Sequence, residues 1–146
     1  MKRFVIIFIS LIVGYALYWC ISDYYYKKGR ERCIVGKYKL DIHRTNLGIY
    51  KKKVEKYKGL ILAFNADKTF SLNISVPFMA DTVGTWKVGG MDEWNEIVYH
   101  NGIIDQLGEF DDGDTIIYIN SVTPQHSQIN KSDVYKIYFV KMNYIH

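Results

Sequence analysis

Residues Gly59 to Val88 constrain the fold more than any other stretch of this chain. Leu60, Leu62 and Phe64 recur at every second position. Asn65-Ala66-Asp67-Lys68 then interrupts with turn formers, and Phe70, Leu72, Ile74 and Val76 alternate with Thr69, Ser71, Asn73 and Ser75. Two period-two runs around a tight turn make a β-hairpin with one apolar face. Such a face requires cover, so further strands must close over it. Pro77 ends the second arm, because proline cannot donate to a ladder. Phe78 and Met79 fall in the connection after it, where they either line an entrance or fold back as a plug.

The same alternation recurs along the rest of the chain. Gly36, Tyr38, Leu40 and Ile42 share one face of a first strand over residues 34–43. Gly84, Trp86 and Val88 share a face of a fourth, where glycine beside a large indole lets a curved sheet bend. Asn95 to His100 and Ile103 to Phe110 flank Asn101-Gly102, a strong hairpin turn. Thr115 to Val122 and Val134 to Met142 complete the set. The strands number eight, with turn chemistry between them. Sequential antiparallel pairing closes them into an up-and-down barrel without exposed edges, and a two-sheet sandwich is the competing arrangement. The fold class is all-β, behind one hydrophobic N-terminal helix. Arg44 to Lys58 differs: Leu47, Tyr50, Val54 and Tyr57 recur at spacings of three and four among lysines, as in a short amphipathic helix or ordered connector.

Phe4 to Ser22 contains 19 residues and no charge. As a helix it reaches roughly 28 Å, close to the thickness of a bilayer core. Tyr15, Tyr18, Trp19 and Tyr24 to Tyr26 form an aromatic belt toward its far end. The segment is an export signal, a membrane anchor or both. Cleavage sites are available after Ala16 or Ser22. Tyr18 and Trp19 are bulky where a lipoprotein signal at Cys20 wants small residues. An uncleaved single-pass anchor fits the length and the belt best. Lys2 and Arg3 before the apolar run favour export of the C-terminal domain, while Lys27, Lys28, Arg30 and Arg32 oppose them. The division is 1–22 signal or anchor, 23–33 a charged tyrosine-rich linker, and 34–146 the barrel, exported to a periplasmic or extracellular space, or secreted if the signal is cut.

The net charge of +4 hides an asymmetry: residues 1–58 hold 14 of the 19 Lys and Arg against four acids, and residues 59–146 hold five against 11. A basic segment beside a membrane attracts anionic headgroups, though solvated faces use the same residues. Cys20 and Cys33 make neither a disulfide framework nor a metal spacing. No phosphate loop, nucleophile elbow or zinc-helix motif occurs, and His43, His100, His126 and His146 are scattered. The acids of residues 111–114 lack the remaining ligand spacing of a calcium loop. The sequence therefore implies no enzyme, cofactor or metal, and an exported domain meets no nucleic acid.

The order of elements resembles the bacterial lipocalin-like proteins of the calycin group. The residues that carry the resemblance are Gly36-Lys37-Tyr38, Leu62 to Phe70, Gly84-Thr85-Trp86 and Tyr138-Phe139-Val140-Lys141. Tyr38 holds the position where that family's first-strand pattern has tryptophan. The resemblance implies a barrel that binds a small apolar molecule without chemistry. Tyr38, Phe64, Phe70, Leu72, Phe78, Met79 and Trp86 would line its interior. The second reading is a filled barrel that binds an envelope protein partner through its outer face.

Overall fold

A computed structural model of the chain describes residues 2–45, 55–90, 94–109, 116–121 and 135–142. One helix, α1 (Lys2–Ile34), precedes eight strands: β1 (Gly36–Leu40), β2 (Ile61–Phe64), β3 (Thr69–Leu72), β4 (Val83–Lys87), β5 (Asn95–Tyr99), β6 (Ile104–Glu109), β7 (Ile116–Ser121) and β8 (Tyr135–Lys141). Each strand pairs antiparallel with the next, and β8 returns to β1, closing the barrel in up-and-down order. The closing register sets Tyr38 opposite Lys141 and Leu40 opposite Phe139. Each strand thus has a neighbour on both sides, which is how a barrel avoids the exposed edge strands of an open sheet.

The alternation of the sequence is the alternation of burial. In β2 and β3, Leu62, Phe64, Phe70 and Leu72 point inward while Ile61, Ala63, Thr69 and Ser71 are only partly covered. Tyr38 opposite Leu62, and Leu62 opposite Leu72, continue the apolar face across three strands. The hairpin turn is fixed locally. Asn65 and Lys68 close a backbone bond of 3.1 Å, and Lys68 takes a φ of 69°. Asp67 Oδ1 accepts the Thr69 amide at 3.0 Å and its hydroxyl at 2.6 Å. Those bonds, the hydroxyl first, hold the Asp67 carboxyl below its ordinary range.

Strand β3 is shorter than the period-two run, which extends to Val76. It stops at Leu72 because the Asn73 side chain takes over the ladder. Its Oδ1 accepts the Ile61 amide at 2.7 Å and its Nδ2 donates to the Gly59 carbonyl at 2.9 Å. Beyond it Ile74 is exposed, and Val76, Phe78 and Met79 turn back into the core. Of the amphipathic segment over residues 44–58, positions 46–54 lie outside the described residues. Residues 55–57 make one short helical turn that lays Tyr57 edge-on against Phe78, ring centroids 5.2 Å apart.

The helix is the larger departure. Residues 23–33, where the sequence predicts a linker, continue α1 without a break. They contain no proline, and Asp23 and Lys27 form an i,i+4 ion pair of 3.1 Å. The helix stops where Ile34 becomes buried and Gly36 adopts a φ of 149°, a conformation that suits glycine in the sharp turn from helix into strand. At about 1.5 Å per residue, the 33 residues of α1 span roughly 50 Å, well beyond a bilayer core. Its N-terminal part is exposed and, by length and composition, apolar enough to cross a membrane.

Candidate functional site: the barrel interior and its two ends

The residues expected to line the interior all lie in one buried cluster. Tyr38, Phe64, Phe70, Leu72, Phe78, Met79 and Trp86 are each 8% exposed or less. They are packed against one another. Phe64 sits at the centre, its ring 5.9 Å from Tyr38, 6.3 Å from Phe70 and 5.7 Å from Trp86. Phe70 in turn meets Tyr99 edge-on at 5.4 Å. Edge-to-face and tilted rings at these separations are close-packed against one another. Phe78 and Met79 are a plug in the connection between β3 and β4, since Phe78 is fully buried against the turn that carries Tyr57.

One polar pair sits among these rings, and the alternation pattern alone did not mark it as a pair. Asp105 is 2% exposed, and the Tyr99 hydroxyl donates to its Oδ2 at 2.7 Å. The turn at Asn101-Gly102 places the two residues on adjacent strands, both facing inward. Burial first, then the neighbouring carboxylate, hold the Tyr99 phenol well above its ordinary range. It therefore stays protonated near neutral pH and donates its hydrogen bond to Asp105. A signal for the pair existed: Asp105 holds an inward register position beside Leu107, and an inward acid must find a donor.

The two ends of the barrel differ. At one end, which carries the β2–β3 and β4–β5 connections, the last turns of α1 dock. The Tyr38 hydroxyl donates to the Ile34 carbonyl at 2.8 Å, and Lys141 Nζ donates to the Cys33 carbonyl at 2.6 Å. Lys141 also stands 5.6 Å from the centre of the Tyr38 ring. Lys68 forms an ion pair with Glu31 while lying 4.7 Å over the Trp86 ring, and Gly90 lies directly against Asp23 and Lys27. Trp86 itself is fixed by donating Nε1–H to the carbonyls of Asn65 and Thr69 at 3.2 and 3.1 Å. Between the helix and the β2–β3 turn, a cavity of about 180 Å³ is lined by Lys28, Glu31, Arg32, Lys68 and Trp86.

The opposite end bears a wider groove of about 620 Å³ beside the end of β1. It is lined by Lys39, Leu40, Asp41, Ile42, His43 and Lys58, among others. On the outer face of β4–β6, across the barrel from this groove, Val98 pairs with Ile104 across β5 and β6, and Val83 lies one strand further on. Val83 is 46% and Ile104 55% exposed. His43 and His100 are on the surface, and His126 and His146 lie outside the described residues, as do the acids of 111–114. Among the described residues no group of His, Cys, Asp and Glu is placed to hold a metal ion. No family model matches this chain, and no curated protein or solved structure matches it either.

Proposed function

We propose that this chain is a non-catalytic, membrane-anchored interaction module. Its barrel is held by α1 on the exported side of a membrane, and the end away from the helix faces a protein partner of the cell envelope. The observation that supports this reading is the packing of Phe64 against Tyr38, Phe70 and Trp86, which fills the part of the interior between β1 and β4 with the chain's own rings. A barrel that carries an apolar ligand needs a cavity of about 300 Å³ or more in place of such packing. The outer patch of exposed Val83 and Ile104, bridged by half-buried Val98, supplies what a partner needs: apolar area on the outer face of a sheet. The uninterrupted helix beyond Ser22 supports retention as an anchor, because its last turns are part of the barrel's own packing.

The architecture, with Gly36-x-Tyr38 on β1 and Gly84-Thr85-Trp86 on β4, supports a kinship with the bacterial lipocalin-like proteins. The second reading, a binding protein for a small apolar molecule, is favoured by the groove of about 620 Å³ beside Leu40 and Ile42. Two measurements separate the readings. A photo-crosslinking side chain at Ile104 should trap one envelope protein in intact cells, and Val83→Lys should abolish that adduct; the same probe at Lys39 should trap none. Native mass spectrometry of the full chain purified from its host should show no bound small molecule. A molecule released on denaturation, with no specific adduct at Ile104, overturns the module in favour of the binding barrel.

A further inference from the structure

The cavity between α1 and the β2–β3 turn concentrates positive charge. Lys28 and Arg32 are exposed at i and i+4 on one helix face, and Lys68 reaches the same space from the turn. The one acid among the lining residues, Glu31, is engaged by Lys68. Two cations therefore remain uncompensated by the lining at the mouth, over a floor that includes Val35 and Trp86. Like charges at this spacing destabilise a helix, and an anion bound between them relieves that repulsion. Arginine's planar fork fits two oxygens of one phosphate, and lysine adds a point charge.

The place of the cavity points to the source of the anion. Lys28 lies six residues beyond the last residue of the uncharged run, about 9 Å along the helix. Helical side chains lean toward the N-terminus, so Lys28 and Arg32 reach back toward the bilayer surface. The Lys68–Glu31 pair and the Lys141 bond to Cys33 hold the barrel in register with those two residues.

We infer that this cavity binds a phosphate ester anion, either the headgroup of an anionic phospholipid or a free phosphate ester. The lipid source rests on the proposed retention of α1 in the membrane; the free source does not.

The test uses the full chain. It is placed in nanodiscs of mixed phosphatidylcholine and phosphatidylglycerol, and the lipids it retains are counted by native mass spectrometry. In parallel, glycerol 3-phosphate is titrated calorimetrically into the chain in neutral detergent. The variant pair Lys28→Gln/Arg32→Gln is compared with Lys39→Gln/Lys58→Gln, which makes the same change of charge at the opposite end. Preferred retention of phosphatidylglycerol, falling about tenfold in the first pair and unchanged in the second, supports the lipid headgroup; tenfold corresponds to one charge-assisted hydrogen bond. Saturable glycerol phosphate binding that only the first pair loses supports the site with a free anion. Equal retention of the two lipids with no glycerol phosphate binding overturns the inference, as does an equal loss in both variant pairs. Failure of the chain to enter nanodiscs rejects the anchor and leaves the calorimetric arm to decide the site. Should the double variant melt early, Lys28→Gln alone is read in its place.

Discussion

The ring of Phe70 lies against the backbone of Gly84. A Cβ built at Gly84 would stand 2.6 Å from Phe70 Cε1 and 2.9 Å from the Cα of Tyr99, and closer still to the Val98 carbonyl oxygen. The missing side chain on β4 is the space that Phe70 occupies from β3, directly across the ladder from Gly84.

Gly84→Ala should therefore destabilise the barrel by about 3 kcal/mol, at the upper end of what overpacking costs, because the obstacles include main-chain atoms that cannot rotate away. Gly59→Ala, where a Cβ meets nothing within 4 Å, is the matched control. Urea unfolding monitored by tryptophan fluorescence checks both. Equal midpoints for the two variants would mean that β4 shifts freely and that the close approach is unimportant.

The junction between helix and barrel gives a second expectation. Lys141→Met keeps the aliphatic stem but removes the donor to the Cys33 carbonyl and the charge beside Tyr38. The Val35 amide, which closes the last helical bond onto the Glu31 carbonyl at 3.2 Å, should exchange with solvent about tenfold faster. Amides of β4 and β5 should keep their rates. Hydrogen exchange read by mass spectrometry on the detergent-solubilised chain decides the matter, and an unchanged Val35 would show that the junction is held without Lys141.

The Tyr99–Asp105 pair predicts an alkaline limit. The Tyr99 phenol is held above its ordinary value in the folded state, so its share of stability is intact below about pH 10, the unfolded value. It is lost as pH rises beyond that, because the unfolded chain releases the proton first. Tyr99→Phe should flatten this part of the decline between about pH 9 and 11. At neutral pH the variant should be less stable by about 1–3 kcal/mol, since buried Asp105 loses a donor. Denaturant midpoints measured against pH for both proteins test this, and parallel curves would place the alkaline loss on other tyrosines.

How far the sequence discloses this fold depends on which residues carry each feature. Period-two burial from Tyr38 to Phe139 is written in the side chains themselves, and the barrel follows from it. The interior residues were legible as inward-facing, yet alternation cannot say whether inward rings enclose a space or fill it. That depends on ring-to-ring geometry, as between Phe64 and Trp86. The helix beyond Ser22 was hidden for another reason. The face it turns to the barrel includes Asp23, Lys27 and Glu31, polar residues that leave no apolar stripe to read. The end of β3 was equally obscure, because the side chain of Asn73 mimics a strand residue only after Gly59 and Ile61 are in place.

Lys141 and Cys33, joined by one hydrogen bond, lie 108 positions apart in the chain. A ribosome adding about 5–20 residues per second needs roughly 5–20 s to cover that distance. Through that interval β1 has no β8 to pair with, so the barrel stays open along that side of β1. β8 is thus the segment whose arrival ends the period in which the nascent chain is most exposed to mispairing.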